Sequence, residues 1–142
     1  MIVEGSITIE NTLDVQAMAN VCVVTGNVTV SADGITSISL PLLESVGGAV
    51  FIDNNATLTS LSLPLLESVG GAVVIQNNAT LTSFALPVLA SVGGAVVIQS
   101  NATLTSLSFP VLASVGGDVF IFDNPALTTC TGALIVNVGD CF

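Results

Sequence analysis

The chain has 142 residues with no Lys, Arg or His, and its ten carboxylates give a net charge of -10. Side-chain ion pairs, arginine clamps and lysine chemistry are therefore excluded. So is affinity for phosphate backbones or anionic membranes, which comes from Lys and Arg. Hydrophobic residues make up 51% and the mean hydropathy is +0.96, yet Ser, Thr, Asn and Gly interrupt every apolar run well short of the roughly 18 residues a spanning helix needs.

The chain opens with Ile2-Val-Glu-Gly-Ser-Ile-Thr-Ile-Glu10, which alternates like a strand and lacks the basic start of a signal peptide. The expectation is a mature region whose leader has been removed. Thr12 to Asn20 is the one stretch with helical spacing. Leu13, Ala17 and Met18 would form one face, with Asp14 in the first turn. Residues 1–24 are assigned to an N-terminal cap.

From Thr25 the sequence repeats. Leu40 to Ser62 returns almost unchanged from Leu63 and again from Leu86, a pitch of 23 residues. A further copy starts at Phe109, and Thr25 to Leu40 fits the second half of the unit with one residue missing. The apolar period within a unit is two. Short β-rich runs are bounded by Gly-Gly or Asn-Asn, and Pro41, Pro64, Pro87 and Pro110 each follow a strand, which are strand and turn signals. Aligned copies stack identical residues. Val28, Val50, Val73, Val96 and Val119 form one ladder. Val30, Ile52, Ile75, Ile98 and Ile121 form the next, and Ile35, Leu58, Leu81, Leu104 and Leu127 another. A unit this thin cannot bury its apolar side alone, so the copies must pile up at the strand spacing of about 4.8 Å. The expected fold is all-β, a single-domain right-handed parallel β-solenoid of about five coils over residues 25–129, closed by a C-terminal cap at 130–142.

The hexapeptide Asn-Ala-Thr-Leu-Thr-Ser begins at Asn55, Asn78 and Asn101, and three readings stay open. Asn27, Asn55, Asn78 and Asn101 each head an Asn-x-Thr sequon and can carry N-linked glycan. Alternatively the Asn column is an internal ladder that satisfies turn backbone. Its continuation at Asn124, where Pro125 spoils the sequon, favours the ladder. In the third reading Thr57, Thr59, Thr80, Thr82, Thr103 and Thr105 form a hydroxyl array of the kind that binds ice. Asn27 lies outside the column, at a strand start, and is the acceptor expected to be exposed.

Alternation in Gly-Ala-Val-Phe-Ile-Asp sends Phe51 outward with Val74, Val97 and Phe120, beside Ala49, Ala72 and Ala95. An apolar outward column is expected to be an interface, most simply with a second copy as a homo-oligomer or filament. The competing expectation is that the tail Gly132 to Phe142 covers it. Glu44 and Glu67 stack on adjacent coils but read as solvated turn residues. No catalytic group, metal set or cofactor motif is identified. A catalytic thiol lacks any His, Lys or Arg to lower its pKa.

The run Asn20-Val-Cys-Val-Val-Thr-Gly-Asn-Val-Thr-Val30, the repeated Leu-Pro-Leu-Leu-Glu-Ser-Val-Gly-Gly unit and the closing Asp123-Asn-Pro-Ala-Leu-Thr-Thr-Cys130 resemble the receptor L domain. This is the leucine-rich β-solenoid of growth-factor and insulin receptor ectodomains, and it also resembles related repeats of microbial surface proteins. The resemblance spans about Thr12 to Cys141. It implies an extracellular or cell-surface, non-enzymatic module that serves as wall structure, as an adhesive, or as a receptor-type ligand platform. The family pairs its first cysteine with one further upstream, and no cysteine precedes Cys22 here. A Cys130–Cys141 bridge would pin the C-terminal cap, and closing so short a loop stabilises by about 3 kcal/mol. It is expected by analogy with small secreted domains, the other reading being buried free thiols.

Overall fold

A computed structural model describes residues 1–132. Among them the chain is nearly all β, wound into a solenoid whose three walls are parallel sheets. Sheet A takes the strands Ile2–Val3, Val23–Val24, Ser45–Val46, Ser68–Val69, Ser91–Val92 and Ser114–Val115. Sheet B takes Ile7–Ile9, Val28–Val30, Val50–Asp53, Val73–Gln76, Val96–Gln99 and Val119–Phe122. Sheet C takes Ser37–Ser39, Ser60–Ser62, Ser83–Ala85, Ser106–Phe109 and Thr129–Gly132. Each coil after the first visits A, B and C in turn, and each strand pairs with its equivalents in the adjacent coils. The register is that of the repeat: Val73 pairs with Val50 and Val96, and Ile75 with Ile52 and Ile98.

Alternation decides what fills the bore. In Val50–Asp53 the buried residues are Val50 and Ile52, and in Ser60–Ser62 the buried residue is Leu61. The ladders expected from the sequence line one continuous core, joined by Leu43, Leu66, Leu89 and Leu112 behind sheet A. Burying a Leu or Ile side chain contributes roughly 1.5–3 kcal/mol, and the stack gains this only when a neighbouring coil supplies the other wall.

The N-terminal stretch adds one coil to the five expected. Ile2–Val3 pairs with Val23–Val24, and Ile7–Ile9 pairs with Val28–Val30. These residues therefore build a sixth coil at the N-terminal end of the stack. Where later coils place a strand of sheet C, this one has a helix, Thr12–Ala17. Asn11 caps it by accepting from the Asp14 N–H, while the Asp14 carboxylate accepts from the Glu10 N–H, which satisfies donors the helix start leaves open. The predicted apolar face is corrected. Leu13 is exposed, whereas Met18 is buried and Val15 packs on the core, because the helix is a short one laid against the Ile7–Ile9 strand.

The Gly-Gly pairs form the corner between sheets A and B. Their φ values are ordinary, and positive φ among glycines occurs at Gly5 and Gly34. What the corner needs is room. A Cβ on Gly70 would lie 2.3 Å from the Gly47 carbonyl oxygen, and one on Gly93 would lie 2.1 Å from that of Gly70. Coils at strand spacing leave no space for a side chain there.

Candidate functional site: one corner and three faces

The corner between sheets B and C is built on the hexapeptide. The residue before each asparagine turns the chain through the left-handed region: Asn54, Asn77, Ser100 and Asp123 have φ of 54 to 57°. Short polar residues tolerate that conformation best. The turn swings Asn55, Asn78, Asn101 and Asn124 into the bore, where the first three are fully buried and Asn124 nearly so. The Asn78 Oδ1 accepts from both the backbone N–H and the Nδ2 of Asn55, at 3.2 and 2.9 Å. The Asn78 Nδ2 donates to the Ile52 carbonyl and to Asn101 Oδ1. Asn101 repeats the pattern with Ile75 and Asn124, and Asn55 Oδ1 starts the ladder by accepting from Ala32 N–H. No buried side-chain polar atom among the described residues lacks a partner.

This geometry corrects the reading of Asn55, Asn78 and Asn101 as glycan carriers. Both hydrogens of each Nδ2 are spent on neighbouring coils, and a sugar has no room in the bore. Asn27 differs. It is exposed, and its Oδ1 accepts from Ala49 N–H at 2.8 Å.

The threonine array is corrected as well. Thr80 Oγ1 donates to the carbonyls of Ala56 and Leu58, and Thr103 to those of Ala79 and Leu81. Thr57 donates to Ile35. Thr59, Thr82 and Thr105 donate to the carbonyls of Thr36, Thr59 and Thr82. The hydroxyls are clamps between coils, set along a corner, and their protons are committed to the backbone.

Sheet B carries the expected apolar column. Phe51, Val74 and Val97 are half-buried and Phe120 is 47% exposed. Of the column beside it, Ala49 is buried, while Ala72 and Ala95 are half-buried. On the first two coils the outward position is Thr8 and then Thr29, in register with Phe51. Next to the apolar column runs an amide chain: Gln99 Nε2 donates to Gln76 Oε1, and Gln76 Nε2 to the Asp53 carboxylate, which also accepts from Asn77. The chain of amides stops at Phe122, which is 42% exposed.

Two features were missed from the sequence. Leu42, Leu65, Val88 and Val111 form an exposed apolar ridge at the corner between sheets C and A. The proline before each turns the chain there, so alternation carried over from the strand misplaces them. Sheet C presents hydroxyls outward, with Ser37, Ser60, Ser83, Ser106 and Thr129 in one register column and Ser39, Ser62, Ser108 and Thr131 in the next, interrupted by Ala85. The alternating Ser-x-Ser in each repeat was the available signal.

Sheet A faces a shallow groove of about 620 Å³ lined by Ser45, Ser68, Ser91 and the corner glycines. Glu44 and Glu67 lie beside it, exposed, on adjacent coils joined by the Glu67 N–H to the Glu44 carbonyl. Among the described residues no three His, Cys, Asp or Glu side chains converge as a metal site would require, and no helix is long and apolar enough to cross a membrane. Cys22 is a half-buried free thiol near the Met1 amine. Cys130 is disulfide-bonded. Its expected partner Cys141, and the tail expected to cover sheet B, lie outside the described residues.

No family model, curated protein or solved structure matches the chain.

Proposed function

We propose that the chain is a non-enzymatic extracellular or cell-surface module that associates with copies of itself through the outward face of sheet B. The observation that carries this reading is the apolar column Phe51, Val74, Val97 and Phe120, four successive outward positions on a wall where alternation calls for polar residues. A second copy fits because its column has the same rung spacing, about 4.8 Å, so side chains of two such faces interdigitate in phase along their whole length. The neighbouring amide chain supports this, since it ties Asp53 to Gln76 and Asn77 and leaves the column flanked by amides. The disulfide at Cys130 supports an oxidising compartment, and the exposed Asn27 is the acceptor available for glycan.

Sedimentation velocity tests the reading. The wild-type chain is expected to form dimers or longer species at micromolar concentration, and Val74→Glu to be monomeric with an unchanged far-UV circular dichroism spectrum. Both partners carry -10, so association should strengthen as salt rises and screens their repulsion. A wild-type chain that stays monomeric at high salt would overturn the assignment.

A further inference from the structure

The outward wall of sheet C carries two register columns of hydroxyls, where sheet A has the single serine column Ser45, Ser68, Ser91 and Ser114 and sheet B an apolar column. Its strands carry Ser or Thr at nearly every outward position, in register across five coils. None of the carboxylates among the described residues falls in these strands or in the threonine column beside them. In a chain of net charge -10 that leaves this wall neutral, whereas Asp53 lies in a strand of sheet B and Glu44 and Glu67 immediately precede strands of sheet A.

Hydrogen bonding separates this wall from the threonine corner next to it. The corner threonines give their protons to carbonyls of the adjacent coil. On the wall, Thr131 donates to Ser108. Among the described residues the hydroxyls of Ser37, Ser39, Ser60, Ser62, Ser83 and Ser106 make no bond to protein. Each therefore keeps one donor and two acceptor sites for an outside partner. The backbone fixes their spacing at about 4.8 Å between coils and about 6.6 Å between columns, two residues along a strand. The side chains are short, so little rotamer freedom is lost when they are engaged.

We propose that this wall binds ordered water at the surface of ice. Liquid water has no lattice to match a fixed hydroxyl grid, whereas a crystal face can bond to many hydroxyls in phase, and weak contacts then add. A carboxylate would hold its own hydration shell and break the pattern, which fits the exclusion of charge from this wall. A crystalline polysaccharide also presents rows of hydroxyls. Its sugar rings, however, offer apolar faces that aromatic side chains bind, and the one aromatic residue of these outward-and-inward alternating strands before Phe109, Phe84, points into the core. The proposal is independent of association through sheet B.

Ice-affinity partition of the full chain, with thermal hysteresis measured in parallel, tests it. The wild type is expected to enter a growing ice front, and the double variant Ser60→Lys/Ser83→Lys to partition about tenfold less, the equivalent of about 1.4 kcal/mol for two lost hydroxyl contacts. Ser60→Thr/Ser83→Thr, which keeps both hydroxyls, should partition like the wild type, as should Val74→Glu on sheet B. Exclusion of the wild type from ice would overturn the proposal, as would equal partition of a folded lysine variant. If the lysine variant does not fold, Ser60→Ala/Ser83→Ala replaces it with the same expected loss. Pelleting with microcrystalline cellulose or chitin while remaining excluded from ice would assign the wall to a polysaccharide and overturn the ice reading.

Discussion

The two corners that flank sheet B solve one problem in opposite ways. Both must turn the chain while keeping successive coils at strand spacing. The Gly-Gly corner does it by subtraction: side chains are absent because a Cβ would sit about 2 Å from the carbonyl of the coil before. The asparagine corner does it by addition: a buried amide and a threonine hydroxyl on each coil bond to backbone groups that the turn would otherwise leave unpaired. The first corner is held by what it excludes and the second by what it satisfies. A damaged glycine corner should therefore fail by clash, and a damaged asparagine corner by orphaned polar groups.

The largest loss is expected for Asn78→Ala. It removes the acceptor for Asn55 N–H and Asn55 Nδ2 and the donor to the Ile52 carbonyl. Buried groups left unpaired cost about 1–3 kcal/mol each, so guanidinium denaturation should show a loss of about 5 kcal/mol. Gly93→Ala should cost less, about 3 kcal/mol, because the coils can part slightly to relieve the overlap. A harmless Gly93→Ala would mean that the corner is not held by close approach. Thr80→Val keeps the volume and removes the bonds to Ala56 and Leu58; a loss of about 1 kcal/mol is expected. The smallest effect, and the one of opposite sign, is Ser100→Asn. It places at φ 56° the residue that Asn54 and Asn77 use there, and a gain of about 0.5 kcal/mol should follow. A destabilised Ser100→Asn would break the account of the turn.

The repeat made most of the fold legible. Val28, Val50 and Val73 stand at equivalent positions in the sequence and pair in the structure. The first coil was harder to see because it shares no repeat residues beyond alternation, and its helix replaces a strand of sheet C. The candidate sites were legible as columns, and alternation gave the outward orientation of Phe51, Val74, Val97 and Phe120. The continuation of the Asn column at Asn124, where the sequon fails, already favoured an internal ladder; the left-handed residue before each Asn, which turns it inward, is what the structure adds. The threonines read as a free array until the carbonyls of the neighbouring coil are in place to take their protons. Which hydroxyls remain unspent depends on distances between coils, which sequence spacing does not contain. The repeated Ser-x-Ser carries the columns of the serine wall, but its unspent hydroxyls emerge only in three dimensions.

The coils are locked to one another at the asparagine corner, and backbone amide hydrogen exchange measures that lock directly. Asn55, Asn78 and Asn101 lie outside every strand, yet each N–H donates to the amide oxygen of the next coil's asparagine. Their amides should exchange as slowly as those of the Val73–Gln76 strand. Exchange as fast as at the neighbouring turn residues Ala56 and Ala79 would show that the ladder does not hold the coils together.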